Sequence, residues 1–181
     1  MPAESPADVP ALTIAKCDKA LHDRSAFSCG FGPIDNFLKS SLSDQIKMGM
    51  VAAWIATANS DPGVLGFYTL GAMAVRADVG PDKWQRAGVS DIPVIYIRAI
   101  AVREEMQGKG LGTALVVDAM RRCLSIANEM GAAAIVLDVL KDDNFDRRFC
   151  FYRDLGFKPL MDPQNPTRLF ISTADVRATL G

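Results

Sequence analysis

Histidine is almost missing from this chain: His22 is the only one in 181 residues. The four cysteines, Cys17, Cys29, Cys123 and Cys150, form no Cys-x-x-Cys pair. With one histidine to complete a set, they do not make a zinc site, and no metal is expected. Cys29 likewise lacks a histidine to activate it, so packing is expected of it rather than covalent catalysis. Disulfide staples are not required either, because 49% of the residues are hydrophobic and the chain is long enough to bury a core. Reduced cysteines fit a cytoplasmic protein.

Long apolar runs are also lacking. The most apolar early stretch, residues 48–58, is too short to span a bilayer. Residues 1–10 carry Glu4, Asp8 and three prolines and do not read as a secretory signal. Neither sign of charge dominates, with 20 Lys and Arg against 21 Asp and Glu. Nothing in the bulk charge draws the chain to nucleic acid, although a local basic face remains open.

What is present reads as a flexible, proline-bearing segment over 1–11 and one domain over 12–181. Residues 12–15 predict a first strand. Pro33 suits a helix start, and Ile34, Phe37, Leu38, Leu42 and Ile46 follow at helical spacing until Gly49. Residues 51–58 and 64–75 predict a hairpin about a turn at 59–63. Residues 78–91 predict a loop or a short irregular helix beside the active site. An apolar strand over 94–102 is broken only by Arg98. Leu111, Leu115, Ala119, Met120 and Leu124 then mark an amphipathic helix, and residues 134–140 form a strand rich in Ile, Val and Leu. Together they make a βαβ unit with a helical crossover, hence an α/β fold. A helix ending near Gly156 and a last strand over 169–172 complete the pattern.

The most informative segment is Gln107-Gly108-Lys109-Gly110-Leu111-Gly112, between that strand and helix. Glycines let the backbone turn tightly and approach a ligand without Cβ crowding. The helix behind them begins with unpaired N–H groups, which together with the helix dipole suit a pyrophosphate. Lys109 adds a positive charge. A Walker turn is excluded, since no Gly-Lys-Ser/Thr follows. A plain helix cap, or a nucleotide fingerprint with Asp138 as its acidic residue, remains open at this level.

Residues 94–157 resemble the GNAT (Gcn5-related N-acetyltransferase) family. Ile100-Ala101-Val102 is similar to its strand before the cofactor turn, and residues 107–112 to its Arg/Gln-x-x-Gly-x-Gly/Ala pattern. Phe151-Tyr152-Arg153-Asp154-Leu155-Gly156-Phe157 is similar to its Phe-Tyr…Gly-Phe segment. The resemblance implies a mixed sheet with splayed central strands and acetyl-CoA as cofactor. It implies that the backbone of Ile100, Ala101 and Val102 meets the pantetheine. The turn from Gln107 to Gly112 and Thr113 would hold the pyrophosphate without a metal.

A second resemblance spans roughly residues 16–172. Phe27-Ser28-Cys29-Gly30, Ile34-Asp35-Asn36-Phe37-Leu38 and Gly66-Phe67-Tyr68-Thr69-Leu70 resemble segments of the TacT/AtaT-type acetyltransferase toxins of bacterial toxin–antitoxin pairs. That likeness implies acetylation of the α-amine of aminoacyl-tRNA, which blocks translation. It also implies a small ribbon-helix-helix antitoxin as partner, and a homodimer whose interface can draw on the strand at 169–172. The chain departs from the subgroup in Ile97-Arg98-Ala99-Ile100-Ala101-Val102, where Gly-Arg-Leu-Ala-Val is frequent, and in extra length between Asp138 and Phe151.

Acyl transfer from a thioester needs a neutral amine, stabilisation of the developing oxyanion and a proton for the leaving sulfur. An α-amine with a pKa near 8 is partly neutral at pH 7, so a strong enzymic base is not required. By resemblance, Tyr152 is the general acid. Arg98, Arg147 and Arg148, with the aromatic Tyr68 and Trp84, are candidates for the acceptor side. His22, Glu104 and Glu105 read as locally bonded or loop residues. Two alternatives share the cofactor turn: an N-acetyltransferase for a small amine, peptide N-terminus or protein lysine, and a non-catalytic acyl-CoA-binding module.

Overall fold

Period-two and period-3.6 patterns resolve into one mixed sheet with helices on both faces, in a computed structural model that describes residues 11–180. The expected flexible segment falls, apart from residue 11, outside the described residues. Four strands run antiparallel in sequence order: β1 (Leu12–Lys16), β2 (Ala52–Ala58), β3 (Gly66–Arg76) and β4 (Asp91–Val102). β5 (Ala134–Asp138) lies parallel to β4. β6 (Lys158–Pro159) and β7 (Arg168–Ser172) complete the order β1-β2-β3-β4-β5-β7-β6. A parallel neighbour requires a crossover, here α4 below, as the βαβ pattern predicts.

α1 (Gly32–Asn36), a π-helical turn (Phe37–Ser41) and α2 (Leu42–Lys47) run on from one another. The single helix expected there is thus wound wider at its middle, and Leu38 and Leu42 are buried against Phe27, Ile55 and Phe67. α3 (Asp82–Gln85) is one turn that buries Trp84 beside Phe170, with ring centroids 5.3 Å apart. A Cβ on Gly80 would meet the Trp84 ring at 2.0 Å, so glycine is what lets the indole lie there. These elements share one face of the sheet. α4 (Leu111–Met130), α5 (Phe145–Asp154) and α6 (Thr173–Leu180) cover the other.

The expected stripe on α4 is buried at Leu111, Leu115, Ala119 and Met120, with Val116 and Cys123 added, while Leu124 is only half-buried. A Cβ on Gly66 would lie 2.9 Å from Leu115 Cδ1 and 3.2 Å from the Ala101 carbonyl oxygen, so this glycine lets α4 seat closely on β3. The last strand is not a sheet edge. β7 is paired with β5 along its length, β6 takes its other side at Leu169 and Phe170, and α6, which the sequence pattern did not indicate, follows directly. The strand at 169–172 therefore lies inside the sheet, with β6 covering only its Leu169–Phe170 end.

Candidate active site

The site begins where β4 loses a partner. β5 pairs with β4 only from Val94 to Ile97, and β4 then runs on along β3 to Val102. Arg98 marks the change. Thr69 pairs with Ala99 and Leu70 with Ile97, so Arg98 is the extra residue of a β-bulge. The fully buried Thr69 hydroxyl accepts the Ala99 N–H at 3.2 Å and satisfies the disturbed ladder. The bulge leaves Arg98 exposed, with its guanidinium 3.3 Å from Gln45 Oε1 on α2.

Beyond the bulge the backbone faces an open seam. The Ala99 N–H is directed to β3, and the Arg103 N–H donates to the Leu65 carbonyl at 2.8 Å. Strand alternation then turns the backbone groups of Ile100 and Val102 away from β3, toward the seam. The Val102 carbonyl is taken by the Gln107 carboxamide at 2.9 Å. Ile100 is left presenting a donor and an acceptor, as a peptide-like ligand lying in the seam requires.

The glycine turn closes this end. Gly108 and Gly110 have φ of +74° and +86°, a region that L side chains avoid, and a Cβ at either would meet nothing within 4 Å. The first bond of α4 runs from the Ala114 N–H to the Gly110 carbonyl at 3.1 Å. The N–H groups of Leu111, Gly112 and Thr113 precede it and have no helical acceptor. No acidic residue lies in that first turn to compete for them. Such a donor set fits a pyrophosphate.

Gln107 acts differently from a phosphate ligand. Its carboxamide donates to both the Val102 and Cys29 carbonyls, at 2.9 and 3.0 Å, which uses both of its N–H groups. The Cys29 N–H donates to Asp35 Oδ1 at 2.9 Å, and the Ser28 hydroxyl donates to Glu104 Oε1 at 2.8 Å. The Phe-Ser-Cys-Gly and Ile-Asp-Asn-Phe-Leu segments thus pin α1 to the cofactor turn. Burial, with Asp35 beside it, pushes the Cys29 thiol up to about 11, far from a reactive thiolate.

A cavity of about 650 Å³ follows the seam. Arg98, Ile100, Ala101, Val102, the turn glycines and Thr113 line it, and α5 contributes Arg147, Arg148 and Tyr152. The Tyr152 side chain is almost fully buried, and its hydroxyl makes no hydrogen bond among the described residues. Burial raises its pKa to about 12, and the nearby Arg148 guanidinium opposes the rise. Arg148 is paired with Asp142, whereas Arg147 is exposed.

The donor turn and the β4–β5 seam lie inside residues 52–157, which match the acetyltransferase (GNAT) family. The chain belongs to that family. It is an acetyl-CoA-dependent N-acetyltransferase. Its relatives include a probable toxin TacT of Sinorhizobium fredii, 32% identical over 93% of this chain and 94% of the relative. The solved structure of AtaT complexed with acetyl-methionyl-tRNAfMet aligns with a TM-score of 0.84 and 27% identity, over 94% of this chain and all of the other. A variant of the AtaT toxin bound to the C-terminus of the antitoxin AtaR and to acetyl-CoA aligns at 0.78 and 27% identity, over 93% and 98%.

Within this GNAT cleft, two sequence candidates for the acceptor side drop out. Tyr68 is completely buried. Its hydroxyl donates to Asp118 Oδ2 at 2.5 Å, and Arg122 pairs with the same carboxylate at 2.8 Å. Trp54 stacks on Tyr68 at 5.4 Å and lies under Arg122 at 5.1 Å. This group ties α4 to β2 and β3, away from the seam. Trp84 lies in the separate core beside α3, so residues 78–91 do not border the cleft. Both rings were candidates by residue type, and apolar burial claims them. Lys109 is exposed and does not line the cleft, while the Leu111 side chain is core, leaving only its N–H for a ligand.

His22 accepts the Asp18 N–H at 3.0 Å, away from the cleft. Glu105 pairs with Arg103 at 2.7 Å. Asp138, weighed in sequence only as a nucleotide-fingerprint acid, does line the cleft. Among the described residues, no group of three or more His, Cys, Asp or Glu is placed to hold a metal, and no helix is long and apolar enough to cross a membrane.

Proposed function

We propose that this chain is a toxin that moves the acetyl group of acetyl-CoA onto the α-amine of an aminoacyl-tRNA, with Tyr152 as general acid. One observation carries the reading. A tyrosine with an unpartnered hydroxyl stands at the seam of a GNAT cleft, in a fold that over 94% of the chain matches AtaT complexed with acetyl-methionyl-tRNAfMet.

When bound, acetyl-CoA supplies an activated thioester. The N–H groups of Leu111, Gly112 and Thr113 would hold its pyrophosphate, and the backbone of Ile100 would meet its pantetheine. Tyr152 stays protonated through the neutral range, so it serves as a donor to the departing sulfur and not as a base. Arg98 and Arg147, which make no ion pair among the described residues, are the proposed contacts for RNA phosphates, with Arg148 tied to Asp142 beside them. A small ribbon-helix-helix antitoxin is the proposed partner, supported by the AtaT variant seen with the antitoxin AtaR. A homodimer is also proposed, its interface drawing on the region of β7.

Incubation with labelled acetyl-CoA and a complete pool of charged tRNAs, followed by mass spectrometry of the aminoacyl adenosines, tests the acceptor. Label on the α-amine of at least one charged tRNA is expected. Label on polyamines, peptide N-termini or lysines, and on no charged tRNA, overturns this reading and leaves the acetyltransferase intact.

A further inference from the structure

Asp138 is the last residue of β5, one position past the final β4–β5 pair, Ile97 with Leu137. It stands where the two strands part. Leu137 belongs to the core under α4, so strand alternation turns Asp138 to the opposite face, the side of Val136. Tyr96 packs on that same face, and Arg98 reaches Gln45 there. Tyr152, by contrast, belongs to the core on the α4 side. The seam therefore has a general acid on one face and a carboxylate on the other.

That carboxylate is held in place by two side chains. Arg168, its cross-strand neighbour on β7, donates Nε to Oδ1 at 2.8 Å and Nη2 to Oδ2 at 2.9 Å. The Tyr96 hydroxyl donates to Oδ2 at 2.9 Å. A carboxylate has about four acceptor positions, and these bonds take three of them, leaving one on Oδ1. The side chain keeps 30% of its surface exposed, and Asp138 lines the cleft. The other cleft acids lie elsewhere on the wall: Asp142 is paired with Arg148, and Glu104, beside the cofactor turn, accepts the Ser28 hydroxyl.

We infer that Asp138 receives the acceptor's amino group, accepting an N–H on the free position of Oδ1 and orienting the nitrogen toward the thioester. Arg168 and Tyr96 are its positioning residues. The inference rests on the aminoacyl-tRNA reading above and names the group that reads the acceptor's amine. Burial raises the Tyr96 pKa to about 12, with the Asp138 charge adding to the effect, so the phenol remains a donor to this carboxylate.

The test compares binding of the pool of charged tRNAs with binding of the same pool after nitrous acid has converted its α-amines to hydroxyls. Full-length protein is held with unreactive desulfo-CoA, and similarly treated uncharged tRNA is the control. The wild type is expected to prefer the aminoacyl pool by about tenfold, because the hydroxyl left by deamination still donates to Oδ1 but lacks the ammonium charge that strengthens the bond. Asp138→Asn should bind both pools alike, at the wild type's affinity for the deaminated pool, with acetyl-CoA binding unchanged. Arg168→Gln keeps the carboxylate and should retain part of the preference. Undiminished preference in Asp138→Asn overturns the inference. Equal loss for both pools in the two variants also overturns it, because a merely structural cross-strand pair behaves that way. A wild type that acetylates no charged tRNA removes the function reading and this inference together, and that result shows before any variant is made.

Discussion

β4 is two strands in one. From Val94 to Ile97 it lies between β3 and β5, and its side chains are core on both faces except at half-buried Tyr96. From Arg98 to Val102 it keeps β3 and loses β5. Residue type does not separate the halves, since Ile95, Ile97, Ile100 and Val102 are equally apolar. Pairing does. In the first half, backbone groups are spent on a sheet, while in the second those of Ile100 are left for a ligand. One added residue, Arg98, sits at the join. An active site can thus be made from core sequence by withdrawing a neighbour rather than by changing composition.

The sharpest way to test the division is at the seam. Tyr152→Phe keeps the ring packing and removes the donor, so turnover on the true acceptor should fall by about 10²-fold or more while acetyl-CoA affinity changes little. Calorimetry and steady-state rates, taken where chemistry is limiting, check this. The pH profile adds a sign. A pKa raised to about 12 means that the donor is present below that value and lost only as pH rises through it. The rate should climb as an amine of pKa near 8 deprotonates, then stay level to about pH 10. A decline between pH 8 and 10 in initial rates corrected for alkaline loss of the aminoacyl ester, on a stable enzyme, would reject the assigned role.

The closed half should respond in stability alone. Ile95 is 5% exposed and pairs with Ile135. Ile95→Ala is expected to cost about 2–5 kcal/mol in urea unfolding, as buried Ile-to-Ala changes do. The folded variant should keep its acetyl-CoA affinity. Loss of binding at full folding would show the two halves to be coupled and blur the comparison.

A smaller effect is expected at the turn beyond the open half. Gly110→Asp puts a Cβ at φ +86° and a negative charge at the start of α4, so acetyl-CoA should bind about tenfold more weakly or worse. Circular dichroism must show the fold retained. Unchanged affinity would mean that the helix start does not hold the pyrophosphate.

Much of this was legible from residue order. The stripe from Leu111 to Met120, the hairpin of β2 and β3 and the glycine turn are local, and each is read from spacing within about a dozen residues. Gln107 was legible as part of the turn but not in its role, because its partner Cys29 lies 78 positions away. Arg98 was visible as a break in an apolar run, but its direction depended on a bulge set by β3.

The chain by itself determined the βαβ unit, a glycine-bearing turn ahead of a helix and a tyrosine segment beyond it, because periodicity and backbone freedom are properties of neighbouring residues. Tertiary structure alone decided that Tyr68 and Trp84 are core, that β7 is interior, and that Asp138 meets Tyr96 and Arg168 at the mouth of the seam. Those outcomes depend on which strands pair and in what register, and burial is fixed by partners distant in sequence.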